Sequence, residues 1–591
     1  MSILLNGREL NNISDVLKVA SKNCPNNVML IDTKAGKELN RFSYKEGDIY
    51  AKRVATYFNN ILGIKNERIL LMLSNNSSMI LTIFGCAYGD NEFVIGNSIQ
   101  SFDEKDARML ANKINVGNVT AIITEKKLSE EFLDLVYDKL SNFDIIWISL
   151  EDILMHKDEI YSTKTERKSD DIAFIQFTSG TSNNPKGVCL THKNFLYGIE
   201  RVSERISEKY NNVMVSSLPL SHNMGLITVM CMFLVESTVV FMDVEEVLVK
   251  PVLWFTNMTK YKATFAGGIN LFYINALKNV SEEEMLNLDL SHIHTAFIGG
   301  EEIKVNYLQM FINKFKKAGL RENSIFPGYG MTENTLLFSA SKPYLGLEIL
   351  SVDEEKLRSN FVEITDGIGK QLVSNGYIFE DDDVIVVNPD TLKRRVGELS
   401  IGELWISGPT VAKGYINNEE AEKEKFHWKI EGSDKEYLRT GDIGFIHNNR
   451  IFITGRNNDL IIIDGNNYYA QEFDTAIGNM IKSAPTGNIA SFGEKDEFGN
   501  ESLTIALGYR KDVYPNFDVL EKVSSDITNF IIGNYGIPVN KILYTEDKDI
   551  LKTAIGKIKR NVIKNHYLKN EMKINYIWKD GSLYEKDKNG N

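Results

Sequence analysis

Phe177-Thr178-Ser179-Gly180-Thr181-Ser182-Asn183-Asn184-Pro185-Lys186-Gly187 is the stretch around which the chain is organised. The apolar run before it, Ile172-Ala173-Phe174-Ile175-Gln176-Phe177, is long enough for one buried strand. Val188-Cys189-Leu190 and then Thr191-His192 come after it, a lead-in to a helix. Hydroxyls, two glycines and a lysine between regular elements make a loop suited to wrapping phosphate oxygens. Backbone N–H groups and Ser/Thr hydroxyls donate, glycine admits close approach, and the ammonium adds a point charge. The Walker A spacing cannot be drawn through it. The competing reading is a solvated polar turn, since these are ordinary loop residues.

Outward from this loop, strand and helix patterns alternate. Ser43-Tyr44-Lys45-Glu46 is a capping box that predicts a helix toward Asn60. Arg68-Ile69-Leu70-Leu71-Met72-Leu73 predicts a buried strand, and a helical pattern follows into Phe84-Gly85-Cys86-Ala87-Tyr88. Ala121-Ile122-Ile123-Thr124 and Ile145-Ile146-Trp147-Ile148 are further short apolar strands. Alternation of this kind implies a mainly parallel sheet covered on both faces.

With 591 residues the chain exceeds one compact core, so at least two domains are expected. A hydrophobic share of 43% and a charged share of 25% suit a soluble globular protein. A formal charge of −13 argues against a nucleic-acid surface. No apolar run reaches the length of a membrane span, and the first residues lack a signal-peptide pattern. Cys24, Cys86, Cys189 and Cys231 are scattered, without metal or disulfide spacing, so a cytoplasmic location is expected.

Further candidates follow in order. Leu218-Pro219-Leu220-Ser221-His222-Asn223-Met224-Gly225-Leu226 places a histidine and an amide at a loop. Trp254 to Thr264 leads into Ala266-Gly267-Gly268-Ile269-Asn270-Leu271-Phe272-Tyr273, aromatic-rich and, on composition alone, core. Two glycine-bearing loops follow strands: Gly299-Gly300-Glu301 after Thr295-Ala296-Phe297-Ile298, and Phe326-Pro327-Gly328-Tyr329-Gly330-Met331-Thr332-Glu333. Ligands of parallel sheets lie at the carboxyl ends of strands, where glycine lets a flat base lie against the backbone. Leu438-Arg439-Thr440-Gly441-Asp442-Ile443-Gly444, Gly455-Arg456-Asn457-Asn458-Asp459, and finally Gly556-Lys557-Ile558 complete the series.

From about Ser43 to Arg560, this ordered series resembles the adenylate-forming, AMP-binding enzyme superfamily, and is most similar to its fatty acyl-AMP ligases. The resemblance implies an α/β fold. A large N-terminal domain of layered, mainly parallel sheets and helices spans 1–456, a hinge 457–458, and a small mobile α+β domain 459–591. It also implies that Thr178, Ser179, Gly180, Thr181, Ser182, Lys186 and Gly187 hold the phosphates of ATP. Gly299, Gly300, Glu301, Gly328, Tyr329 and Gly330 would line adenine, with Tyr329 stacked on it. Asp442 and Arg456 would meet the ribose or phosphate, and Thr332 the α-phosphate. Mg²⁺ would sit on Glu333 and Thr178, and Lys557 would be the catalytic lysine. His222, Asn223, Met224 and Gly268 would border the acyl pocket, with His222 also counted as catalytic.

A long stretch from about 340 to 376 matches an insertion of the fatty acyl-AMP ligases, thought to hinder the rotation that admits CoA. The implied reaction adenylates a carboxylic acid, a fatty acid by the resemblance to fatty acyl-AMP ligases, and passes it to the phosphopantetheine thiol of a separate acyl carrier protein. Asn223 stands where the subgroup usually has Asp and is shared with aryl-acid activators. Asn458, Leu551 and Ile555 also depart from the pattern. An aryl-acid or fatty-acid CoA ligase, and a non-catalytic nucleotide-binding homologue, are therefore the competing readings.

Overall fold

The computed structural model describes residues 3–585 except 6, 97–98, 100–101, 141–143, 157–164, 179–185, 207–211, 464–465, 482–487, 496–499, 510–515 and 554–556. Ser43 caps the helix Tyr44–Thr56, and the reciprocal bond from its backbone to Glu46 completes the predicted box. Five strands of a seven-stranded sheet run parallel, in the order Ile172–Thr178, Glu92–Ile95, Arg68–Met72, Ala121–Thr124, Ile146–Ser149. Their apolar side chains fill both faces, as a sheet covered by helices requires.

A second, larger sheet has a parallel centre made by Val213–Ser216, Phe265–Gly268, Thr295–Ile298 and Ile325–Tyr329. It continues through antiparallel strands that include Leu438–His447 and Arg450–Arg456. Phe326 to Tyr329, read from sequence as part of a loop, belongs to the strand itself. Gly328 and Tyr329 are paired with Ala340 and Ser339. The error has a physical source, because proline and glycine punctuate a strand as they would a turn.

Residues from Ile461 onward form their own cores around the sheet Ile489–Lys495, Glu501–Tyr509, Val539–Glu546, Tyr576–Lys579 and Ser582–Glu585. Helices Ala470–Met480, Phe517–Tyr535 and Arg560–Leu568 accompany it. The molecule is thus α/β, a large body of layered sheets followed by a smaller α+β unit.

Between the large sheet's strands lies the 340–376 stretch, which folds as the hairpin Ile349–Val352/Lys370–Val373 with the short helix Glu354–Arg358. It reaches the C-terminal unit. The Arg358 guanidinium stacks over Tyr468 at 5.2 Å and Tyr535 at 5.6 Å, and Asn467 donates to the Arg358 carbonyl at 2.9 Å. Lys370 forms an ion pair with Glu472.

Candidate active site

The strand Ile172–Thr178 does not turn directly into a helix. It pairs antiparallel with Lys186–Thr191, the strand on the other side of the phosphate-type stretch. Thr178 and Lys186 face each other across it, with the Thr178 hydroxyl 3.4 Å from the Lys186 carbonyl. Ser179, Gly180, Thr181 and Ser182 lie outside the described residues. The Lys186 ammonium sits 5.4 Å over the Tyr415 ring. A Cβ on Gly187 would come within 2.6 Å of Ile416 and 2.9 Å of Ile175, so only glycine fits that crossing. The strand was missed in the sequence because Val188-Cys189-Leu190 is short. Its end was legible, since Thr191 caps the helix His192–Ser203 through a reciprocal bond with Asn194.

Thr332 and Glu333 open a short 3₁₀ turn after the second glycine segment. Glu333 is buried, and its Oε1 accepts from the Tyr415 hydroxyl at 2.6 Å with the Lys425 ammonium at 3.6 Å. Burial pushes its carboxyl up, but Lys425 and the Tyr415 hydroxyl more than offset that and hold it below the usual range. Tyr415 and Lys425 were not legible as site residues, because they lie far from Glu333 in the chain and carry no motif. Asn223, expected at the acyl pocket, donates its amide to the Thr335 carbonyl beside this turn. Thr335 has φ of +66°, a strained value for a β-branched residue. His222 precedes the helix Asn223–Leu234, and Met224 packs between the two main cores.

Asp442 and Arg456 are cross-strand partners, with Arg456 Nε 3.0 Å from Asp442 Oδ1. Tyr329 donates its hydroxyl to Asp442 Oδ2 at 2.8 Å. Burial and the Asp442 charge raise the phenol's pKa, so it remains a donor. A Cβ at Gly299 would lie 2.7 Å from the Gly328 carbonyl, so the two glycine segments touch through bare backbone. Gly300, with φ of +82°, turns the chain toward Glu301. The Glu301 carboxylate accepts from the Asn270 N–H at 3.0 Å, just past Gly268. Gly330 is fixed by packing, since a Cβ there would lie 1.6 Å from the Leu336 carbonyl. Trp254, Phe255, Phe272 and Tyr273 pack on one another as buried core.

Lys557 approaches from the C-terminal unit. Its N–H donates to Thr553 Oγ1 at 3.1 Å, and its carbonyl accepts from the Thr553 N–H at 2.8 Å. Burial and then the charge of Arg456 push its ammonium down to about 8, while Asp442, Glu301 and Asp459 oppose them. The same unit is anchored by Arg560, paired with Asp459 at 3.0 Å and also with Asp474. The structure therefore brings together Lys557, Asp442, Arg456, Tyr329 and Glu301. Glu333 lies nearby, within the influence of Arg456.

Such a set can hold a sugar hydroxyl pair on an ionised carboxylate and bring a cation to a polyanion. Over 544 residues the chain is 28% identical to a medium-chain-fatty-acid–[acyl-carrier-protein] ligase from Moorena producens, covering 90% of each protein. A second such ligase, from Teredinibacter turnerae, is 28% identical over 70% of this chain and 65% of its own length. Among solved structures, a fatty acyl-adenylate ligase from L. pneumophila, in complex with acyl adenylate and pyrophosphate, is 28% identical. It matches 97% of this chain and 98% of its own with a TM-score of 0.70. The profile of the AMP-binding enzyme family matches residues 17–416, and the chain belongs to that family.

Proposed function

We propose that this protein activates a fatty acid with ATP to an acyl-adenylate and passes the acyl group to the phosphopantetheine thiol of a separate acyl carrier protein. The observation that carries the proposal is the convergence of Lys557, from the C-terminal unit, on Asp442, Arg456 and Glu301. The likeness to carrier-protein ligases supports the choice of acceptor.

A fatty carboxylate is already ionised at neutral pH and needs no base. The barrier is the repulsion between that carboxylate and the phosphates. In the first step a carboxylate oxygen forms a bond to the α-phosphorus, and the bond to the β-phosphate oxygen breaks to release pyrophosphate. Lys557 bridges the two anions, Lys186 holds the terminal phosphates, and Thr332 donates to the α-phosphate. Asp442 takes the ribose hydroxyls, with Tyr329 and Arg456 fixing its orientation. In the second step the thiol gives its proton to water, its sulfur bonds to the acyl carbon, and the bond from that carbon to the phosphate oxygen breaks to release AMP. We place the pivot for that exchange at 457–458, the 3₁₀ turn that follows Arg456.

Mg²⁺ suits Glu333 and Thr178, since an ion carried on phosphates needs only one or two protein carboxylates. The ionised, buried Glu333 meets that need. When bound, the ion neutralises phosphate charge. An ATP–pyrophosphate exchange panel across fatty and aromatic acids tests the reading. Exchange with fatty acids is expected; exchange with aromatic acids alone, or with none, would overturn it.

A further inference from the structure

Lys113 is half-buried, and among the described residues no ion pair or hydrogen bond engages it. It lies in the helix Glu104–Gly117, on the same stripe as the buried Leu110 and Gly117. That helix returns between two parallel strands, Glu92–Ile95 and Ala121–Thr124, so it runs antiparallel to the sheet. At its far end a Cβ on Gly117 would sit 3.6 Å from the Phe177 ring. Lys113 is one turn back, about 6 Å nearer the carboxyl end of the strands. This carries it from the level of Phe177 toward and past Thr178.

The opposite face of the sheet supplies a second marker. Gln176 alternates with Phe177, points away from the Lys113 helix, and donates to the Ser221 carbonyl next to His222. Yet His222 feels the charge of Lys113, which together with burial lowers its imidazole pKa. Two elements on opposite faces therefore meet off the carboxyl end of the Ile172–Thr178 strand, beside the Thr178/Lys186 pair. Ligands of such sheets occupy that edge.

An unpaired ammonium in a half-buried position is costly unless an anion arrives. Burial alone lowers it to about 8. Within the reaction proposed above, the ribose end of the nucleotide lies at Asp442, and an apolar acyl chain offers an ammonium nothing. We infer that Lys113 is a second phosphate-binding cation, acting with Lys186 on the β- and γ-phosphates of ATP and hence on the departing pyrophosphate.

The inference rests on the adenylation reading, and the test separates the two. Wild-type full-length protein is first assayed for fatty-acid-dependent exchange; no exchange defeats the parent reading before any variant is compared. Lys113→Met, Lys113→Gln and Lys113→Arg are then assayed in both directions. Loss of a charge-assisted contact should raise the KM for pyrophosphate about ten- to a hundredfold in Lys113→Met and Lys113→Gln. The KM for the fatty acid should stay unchanged, and Lys113→Arg should recover most of the pyrophosphate affinity. Thermal melting of each variant verifies folding, and the Gln variant keeps the test open should Met disturb packing. A pyrophosphate KM within twofold of wild type in a folded uncharged variant would overturn the inference. So would a rise in the fatty-acid KM instead.

Discussion

Lys557 works under two opposed demands. In the proposed reaction its charge is needed where carboxylate and phosphate meet, while burial and Arg456 push its ammonium down to about 8. Removing it, as in Lys557→Ala, should leave ATP binding nearly intact and slow adenylate formation by about 10²- to 10⁴-fold, as for other lost charge-stabilising groups. Wild-type-like exchange in that variant would exclude the role. The pH dependence follows from the sign of the shift. The active form is the ammonium, so kcat/KM for ATP, which reports the free enzyme, should hold below about 8 and fall as pH rises through it. In Lys557→Arg, which stays charged, the alkaline fall should move up or vanish.

Residue-level legibility was uneven for a physical reason. Asp442, Glu333 and Lys557 stand in local runs of glycine, threonine and charge whose order survives in one dimension. Tyr415 and Lys425 give Glu333 its partners, yet they are found only once distant segments close on one another. Asn223 was visible from its neighbours, but the bond from its amide to the Thr335 carbonyl was not.

Among the elements, the 349–373 hairpin has the clearest consequence. Its contacts with Tyr468, Tyr535 and Glu472 hold the C-terminal unit in the orientation seen here. Two cation–π contacts and one shielded ion pair contribute about 1–2 kcal/mol in all. Substituting both Arg358→Ala and Lys370→Ala should therefore raise acyl-CoA formation relative to carrier loading by about tenfold. The measurement is the ratio of the two thioesters from one adenylate pool; an unchanged ratio would mean that the hairpin does not govern acceptor choice. The insertion was visible as length and composition in the sequence. Its contacts were not, because length says nothing about what a loop touches. Helices with capping boxes, at Ser43 and Thr191, were the easiest elements to read. The Lys186–Thr191 strand was hidden by brevity, and Ile325–Tyr329 by its proline and glycine.

For the whole molecule, the decisive comparison is between acceptors. With a fatty acid, ATP and Mg²⁺, the protein should load a phosphopantetheinylated carrier protein and make little acyl-CoA. Efficient acyl-CoA synthesis by the unmodified protein would instead place it among CoA ligases. Two bodies with separate cores are the architecture such a two-step reaction needs, since each can stay packed while their relation changes.

Arg456 is both the partner of Asp442 and the last residue of its strand before the turn at Asn457. With the ribose held at Asp442 and the pivot at 457–458, as proposed, the grip on the sugar is mechanically in series with the joint. A swing of the C-terminal unit would then tug at the guanidinium before anything else, so that nucleotide occupancy and joint angle would report on each other. On this reading the ribose would act as a latch, and emptying the pocket of AMP would reset the joint for the next acid.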